Sequence, residues 1–155
     1  MAGTTVPEGT ESAAAATPLS ADAYAEIQQF YARHMQLLDA GEAEAWAATF
    51  TEDGSFAPPS LPEPIRGRAQ LAAGVRRAAA ELAEAGERHR HLLGTHAVDV
   101  GADGELLVRS YAQIIATPRN GQPRLHLMCV CEDVLVRRDG TLRVRERRVT
   151  RDDRG

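Results

Sequence analysis

The chain has 155 residues, a net charge of −4 and 43% hydrophobic residues, which fits one domain with a sizeable core. All 18 basic residues are arginine, so Schiff-base catalysis through a lysine and a P-loop lysine are excluded. The negative net charge gives no reason to expect nucleic-acid binding.

The first 18 residues differ in composition from the rest and consist mainly of Gly, Thr, Ser, Ala and Pro. We therefore expect a disordered tail at residues 1–18 and a domain at residues 19–152. The tail lacks the basic and apolar regions of a signal peptide. No apolar run approaches the roughly 20 residues of a membrane span. Cys129 and Cys131 are poorly spaced for a disulfide, so a reducing, cytoplasmic setting fits best.

The first half of the domain shows helical periodicity. Ser20 is a good N-cap, and apolar residues then recur every three or four positions up to a stop at Asp39-Ala-Gly41. A second short helix is predicted over residues 42–50, followed by a turn at 51–54 that includes Asp53 and a short strand at 55–57. Four prolines then indicate a loop up to Pro64, and residues 67–86 read as a third helix.

After Gly86 the period of the apolar residues changes to two. Four strands are predicted, at about 89–100, 105–117, 123–137 and 141–150, and the turns between them contain Gly101–Gly104, Asn120-Gly121 and Asp139-Gly140. Alternation along the strands places His89 and His91 on one face and His96 on the other. The order of elements predicts an α+β domain in which three helices pack on the concave side of a curved antiparallel sheet.

Three strings in this sequence resemble the SnoaL-like branch of the nuclear transport factor 2-like (NTF2-like) superfamily. They are YARHMQLLDAGEAEAWAATFTEDGSF, RHLLGTHAVDV and VLVRRDGTLRVRERRV, and the resemblance covers roughly residues 20–151. It implies a cone-shaped fold with a pocket. It specifies activity poorly, because this superfamily includes dehydratases, cyclases, isomerases and proteins without known catalysis.

Similarity to scytalone-dehydratase-type relatives implies an acid and a histidine facing the cavity at Asp39 and His91. An aspartate bound to one imidazole nitrogen makes the other nitrogen a better base, which can move protons at a carbon beside a carbonyl. Such a step needs no metal and no redox cofactor, so no cofactor is expected. An Asp39 that merely caps the next helix, and a structural His91, are the competing interpretations.

The sequence departs from those relatives at two further positions. A second catalytic histidine is replaced by Ala112, and a cavity amide falls near Cys131. At most half of the catalytic residues of the dehydratase-type relatives are therefore present in this sequence. Tyr31 could donate to a substrate carbonyl, although a core aromatic is the more common outcome. Tyr111 should face outward, where relatives of this fold commonly form dimers.

The remaining candidates are a predicted apolar wall and the arginines of the last strand. The wall would hold a flat or extended hydrophobic ligand and comprises Phe30, Trp46, Phe50, Phe56, Leu93, Ile114 and Leu127. Arg148 would bind an anionic oxygen if its face is inward and would be solvated if outward. For the run from Arg143 to Arg151 we favour a solvated strand edge over phosphate binding. His89, His91 and His96 do not converge on one strand face, so no metal site is expected.

The function predicted from these observations is dehydration or aldol-type cyclisation of a polyketide intermediate, in antibiotic-type secondary metabolism, by a cytoplasmic homodimer. Two alternatives remain open. One is a non-catalytic protein that binds such an intermediate and assists a partner oxygenase. The other is a structural subunit that resembles dioxygenase β-chains. No nucleic-acid or membrane partner is expected.

Overall fold

The computed structural model describes residues 18–154, so apart from Pro18 the predicted tail lies outside the described residues. Three helices are present: α1 (Ala21–Asp39), α2 (Ala43–Ala47) and α3 (Arg68–Ala85). The Ser20 hydroxyl caps α1 by accepting from the Ala23 amide at 3.1 Å. Gly41 follows α1 at a φ of +72°, a left-handed conformation that glycine adopts without a steric penalty. No helix in this part of the chain has the length and apolar character needed to cross a membrane.

One curved sheet contains six strands in the order β2-β1-β6-β5-β4-β3. Their bounds are β1 (Phe50–Ala57), β2 (Ile65–Arg66), β3 (Glu87–Val100), β4 (Leu106–Pro118), β5 (Arg124–Arg138) and β6 (Thr141–Arg151). Strands β3 to β6 form the predicted antiparallel meander. Strand β1 runs parallel to β6, so the sheet is mixed and not wholly antiparallel as expected.

The segment between α1 and the proline-rich loop differs from the prediction. Helix α2 ends at Ala47, and β1 already begins at Phe50, so the expected turn at residues 51–54 and its Asp53 lie within a strand. The pairing of β1 with β6 shifts register between Phe50 and Ser55. This irregularity lets the exposed pair Glu52 and Asp53 sit in a strand that has no regular polar–apolar alternation.

The helices pack against one face of the sheet, and the core lies between these two layers. Its most completely buried side chains come from all three helices and from β1, β5 and β6; they are Ile27, Tyr31, Trp46, Phe50, Leu71, Leu135 and Val144. Because α1 is held against the sheet by this core, the end of α1 at Asp39 has a fixed position over β3.

Register shifts in β3 and β6 change which of their side chains face the helices. In β3 the pairing shifts between Gly94 and Ala97, and Thr95 adopts a φ of +54°. His96 is therefore buried on the helix side, the same side as His91, contrary to the strict alternation we expected. In β6 the pairing with β5 shifts between Val144 and Glu146, and this shift turns Arg147 inward and Arg148 outward.

Candidate functional site

Asp39 and His91 form the candidate catalytic pair. The Asp39 carboxylate lies 2.6 Å from His91 Nδ1 and also accepts from the His91 backbone amide at 3.1 and 3.3 Å. The Asp39 side chain is 7% exposed and the imidazole 24% exposed. The last residue of α1 therefore holds an imidazole on β3 that is still open to a small molecule.

This contact determines which nitrogen of His91 can act. A carboxylate bound to Nδ1 requires a proton there, so Nε2 carries the lone pair of the neutral ring. Within residues 18–154 no hydrogen bond to Nε2 is present. The arrangement can accept a proton at Nε2, and Asp39 stabilises the imidazolium that results.

A second carboxylate–histidine pair lies two residues earlier on the same face of β3. His89 Nε2 lies 2.8 Å from Glu87 Oε1, and the other Glu87 oxygen accepts from Arg124 at 3.3 Å. The His89 imidazole donates to Glu87 and lowers the pKa of that carboxyl, and Arg124 adds to the effect. The His126 ring approaches His89 with 5.1 Å between centroids.

The sheet surface next to His91 is apolar and built from small side chains. Ala112, Cys129 and Cys131 are buried there, with half-buried Leu93, Leu127 and Val149 packed against them. Burial raises the pKa of the Cys129 thiol and raises that of Cys131 to about 12. Both cysteines are free thiols, and protonated thiols in this position are packing groups and not nucleophiles.

Deeper in the core lies a buried polar network that the sequence did not reveal. Arg147 donates to Asp133 through Nε at 2.8 Å and through Nη2 at 2.7 Å. The Tyr31 hydroxyl donates to the same carboxylate at 2.9 Å. A third guanidinium nitrogen lies 2.7 Å from His34 Nε2, and His34 Nδ1 lies 2.7 Å from the Thr49 hydroxyl. The network links α1 to β5 and β6.

The network also determines the protonation states of His34, Tyr31 and Arg147. Burial, followed by the charge of Arg147 and by His91, lowers the pKa of His34 well below its ordinary value. Neutral His34 accepts from Arg147, so its proton is on Nδ1 and points to Thr49. Burial and then Asp133 raise the pKa of Tyr31 well above its ordinary value. Burial alone would lower the pKa of Arg147, but the contacts with Asp133 raise it.

Several predicted site residues belong to this core and not to an open wall. The Tyr31 hydroxyl is engaged by Asp133 and is not available to a substrate carbonyl. Trp46 and Phe50 are at most 2% exposed. Phe56 is half-buried and meets Trp46 edge-on at 6.2 Å between centroids. Of the predicted ligand contacts, Ala112 and Cys131 lie in the apolar cluster beside Leu93.

Arg148 does not face the helices. Its side chain is 67% exposed and forms an ion pair with Glu132 on the outer face of the sheet, so it is not an anion-binding group beside His91. The prediction that the arginines of the last strand form a solvated strand edge is also wrong. Strand β6 lies between β1 and β5, and Arg147 is buried. Among its neighbours, Arg145 pairs with Glu105 and Arg151 pairs with Asp153.

The outer face of the sheet carries a groove of about 720 Å³ that is separate from the Asp39–His91 pair. Charged side chains of both signs line it, among them Arg66, Arg109, Glu132, Glu146 and Arg148. Tyr111 is 47% exposed on the same face, as predicted. The groove contains neither Asp39 nor His91, so we place the candidate site by its chemistry and not by the size of this groove.

A metal centre has no ligand set in the described residues. Between residues 18 and 154 no three His, Cys, Asp or Glu side chains come close enough together to hold an ion. His89 and His91 each have a carboxylate partner of their own, and His96 contacts Ser110 at 2.6 Å.

Solved structures of similar proteins show the same fold. Aln2 from a Streptomyces species is 32% identical, with a TM-score of 0.81 over 88% of this chain and 96% of its own. A protein from Catenulispora acidiphila, solved in complex with S-DNPA, is 34% identical, with a TM-score of 0.76 over 87% and 97%. An NTF2-like protein with a cystatin-like fold, from Novosphingobium aromaticivorans, is 26% identical, with a TM-score of 0.74 over 85% and 83%.

No match was found among curated protein sequences. The model of the SnoaL-like domain matches residues 20–148, nearly the whole of the described chain. The predicted α+β cone fold and the predicted family are both confirmed. The chain belongs to the SnoaL-like domain family.

Proposed function

We propose that this protein is a cofactor-independent enzyme in which His91, oriented by Asp39, takes a proton from a carbon beside a carbonyl group. The resulting enolate would either expel a β-hydroxyl group, which is a dehydration, or attack a second carbonyl, which is an aldol-type cyclisation. The observation that carries this proposal is the 2.6 Å contact between Asp39 and His91 Nδ1 on a partly exposed ring. General base assistance of this kind contributes roughly 10²–10⁴ in rate.

The proposed substrate class is a hydrophobic, polyketide-type β-hydroxy ketone. Half-buried apolar side chains lie beside the pair, among them Leu93 and Leu127. The 34% identical protein from Catenulispora acidiphila was solved in complex with S-DNPA. The resemblance to SnoaL-like proteins of polyketide pathways supports the same class. The homodimer and the cytoplasmic location remain predictions that accompany it.

Proton abstraction can be measured apart from any later step. The probe is 4-hydroxy-4-phenylbutan-2-one in deuterated buffer, with NMR following deuterium entry at the carbon between the carbonyl and the alcohol. We expect the wild type to catalyse this exchange. Asp39→Asn and His91→Asn should each lower its rate about 100-fold or more; asparagine at position 91 keeps a donor for Asp39 in place of Nδ1.

Asp53→Asn is the matched control, since it neutralises an exposed aspartate on β1. It should leave the exchange rate unchanged. Full exchange by both Asp39→Asn and His91→Asn would contradict the proposal. A wild-type protein that binds the probe without exchanging it would favour the binding-protein alternative.

A further inference from the structure

Glu87 and His89 repeat the arrangement of Asp39 and His91. In each pair a carboxylate oxygen holds one imidazole nitrogen, at 2.8 Å for His89 Nε2 and 2.6 Å for His91 Nδ1. In each pair the other ring nitrogen has no hydrogen bond within residues 18–154. The His89 ring is 19% exposed, so it is neither packed into the core nor fully solvated.

The two histidines are spaced for action on one molecule. They lie on the same face of β3, as shown by the alternation of exposed and half-buried residues from Glu87 to Leu93. Same-face neighbours on a strand are about 7 Å apart. A catalytic group must approach the atom on which it acts to about 3 Å. Two histidines about 7 Å apart can therefore act on neighbouring atoms of one substrate.

The neighbouring strand presents a small side chain opposite His89. His89 pairs across the sheet with Ala116, and His91 pairs with Ile114. Ala116 is fully buried, and a methyl group at that position lets the rings of His89 and His126 meet above it. Arg124 binds the Glu87 oxygen that His89 does not contact, which helps to keep this carboxylate ionised and able to stabilise an imidazolium at His89.

We propose that Glu87 and His89 are the proton donor of the same site, and that they replace the second catalytic histidine that Ala112 cannot supply. This inference rests on the proposed function and assigns it to dehydration. His91 Nε2 takes the proton from the carbon beside the carbonyl, the electron pair forms the new C=C bond, and the C–O bond breaks. His89 Nδ1 gives its proton to the departing oxygen, which leaves as water. The two histidines then exchange protons with solvent, and no oxidant or reductant is consumed.

The test separates elimination from exchange with the same probe, 4-hydroxy-4-phenylbutan-2-one, whose enone product is followed by ultraviolet absorbance. His89→Gln keeps a donor for Glu87 where Nε2 stands but has no proton to give at Nδ1. We expect it to keep deuterium exchange and to lose about 100-fold in elimination. With the acetate ester of the probe, whose leaving group needs no proton, its elimination rate should return to that of the wild type.

Glu87→Gln removes the carboxylate and keeps the imidazole of His89. This variant tests the inference if His89→Gln fails to fold. It should lower elimination and leave exchange intact, because the imidazolium at His89 then lacks the carboxylate that holds it in place as the proton donor. His126→Gln is the matched control, since its ring touches His89 but has no carboxylate partner among the described residues. It should change neither rate.

Each outcome has a distinct meaning. Wild-type elimination by His89→Gln on the alcohol overturns the inference and leaves the proposed function standing. A loss of elimination in His126→Gln, with His89→Gln unaffected, overturns the assignment of His89 and indicates His126 as the proton donor. A wild-type protein that neither exchanges nor eliminates the probe contradicts the proposed function and the inference together.

Discussion

Arg147 and Asp133 form a two-pronged ion pair inside the domain, with N–O distances of 2.8 and 2.7 Å and side chains only 3% and 1% exposed. The partners lie opposite each other on β6 and β5. Tyr31 and His34, from α1, occupy the remaining directions around them. The charge pair is therefore the point at which the helix that carries Asp39 is joined to the sheet.

Removal of the arginine should destabilise the domain strongly. Arg147→Met leaves the Asp133 carboxylate buried without its counterion, and we expect a loss of about 3–5 kcal/mol in the free energy of unfolding, measured by urea denaturation. Arg148→Met, at the next residue on the exposed face, is the matched control and should change stability by less than about 0.5 kcal/mol. Equal effects of the two substitutions would contradict the assignment of Arg147 to the core.

The Tyr31 hydroxyl should contribute a single charge-assisted hydrogen bond. Tyr31→Phe keeps the ring and its stacking on His96, at 4.8 Å between centroids, and removes only the bond to Asp133. The expected cost is about 1.5–3 kcal/mol. Tyr111→Phe is the control on the outer face, and its stability in the same urea experiment should match that of the wild type. If Tyr31→Phe is also neutral, the hydroxyl is not part of the network.

Stability should fall on mild acidification because of His34. Burial and Arg147 hold its folded pKa well below the ordinary 6.5, so below pH 6.5 the unfolded chain binds a proton that the folded chain does not. Its contribution to stability is therefore present above pH 6.5 and is lost as the pH falls. Between pH 7 and 5 we expect a loss of up to about 2 kcal/mol from this residue.

His34→Gln provides the comparison, because a glutamine oxygen can accept from Arg147 in place of Nε2 and does not titrate. Its unfolding free energy should fall less steeply between pH 7 and 5 than that of the wild type. Parallel curves for the two proteins would show that His34 does not stay neutral in the fold. His126→Gln removes an exposed ring and should follow the wild-type curve.

The two thiols should resist alkylation in the native protein. Cys129 and Cys131 are 2% and 3% exposed, and burial raises the pKa of both, so little thiolate forms at pH 8. Iodoacetamide should leave the folded protein unmodified over an hour and should label both cysteines in guanidinium chloride, as read by mass spectrometry. Rapid labelling of the folded protein would show that the apolar surface beside His91 opens to solvent.

The sequence was sufficient to predict the helices and the meander because those segments obey simple periodicities. Ser20 and Gly41 bracket α1 as expected, and the Asp139-Gly140 turn forms with both residues at positive φ. Asp39 and His91 are in contact, and they were selected from the family resemblance and not from spacing. Their catalytic role remains a prediction.

The polar core could not be predicted, because its inward positions depend on bulges that leave no clear sequence signal. Strict alternation counted from Val144 predicts that Arg148 faces inward, but the register shift turns Arg147 inward instead. The same error placed His96 on the wrong face of β3. The one available signal was Asp133, an acid at an inward position of a cysteine- and valine-rich strand, which required a buried cation as its partner.

The bulge at Thr95 divides β3 into two segments whose side-chain orientations are set independently. The segment before it carries the histidines of both carboxylate–histidine pairs, His89 and His91, and the segment after it supplies His96 and Val98 to the packed interior. An insertion or deletion at residues 94–96 would reverse the orientation of one segment while the other kept its partners on β4. A change in length at this position would therefore remove either His89 and His91 or His96 and Val98 from the helix side of the sheet, and would leave the other two residues in place.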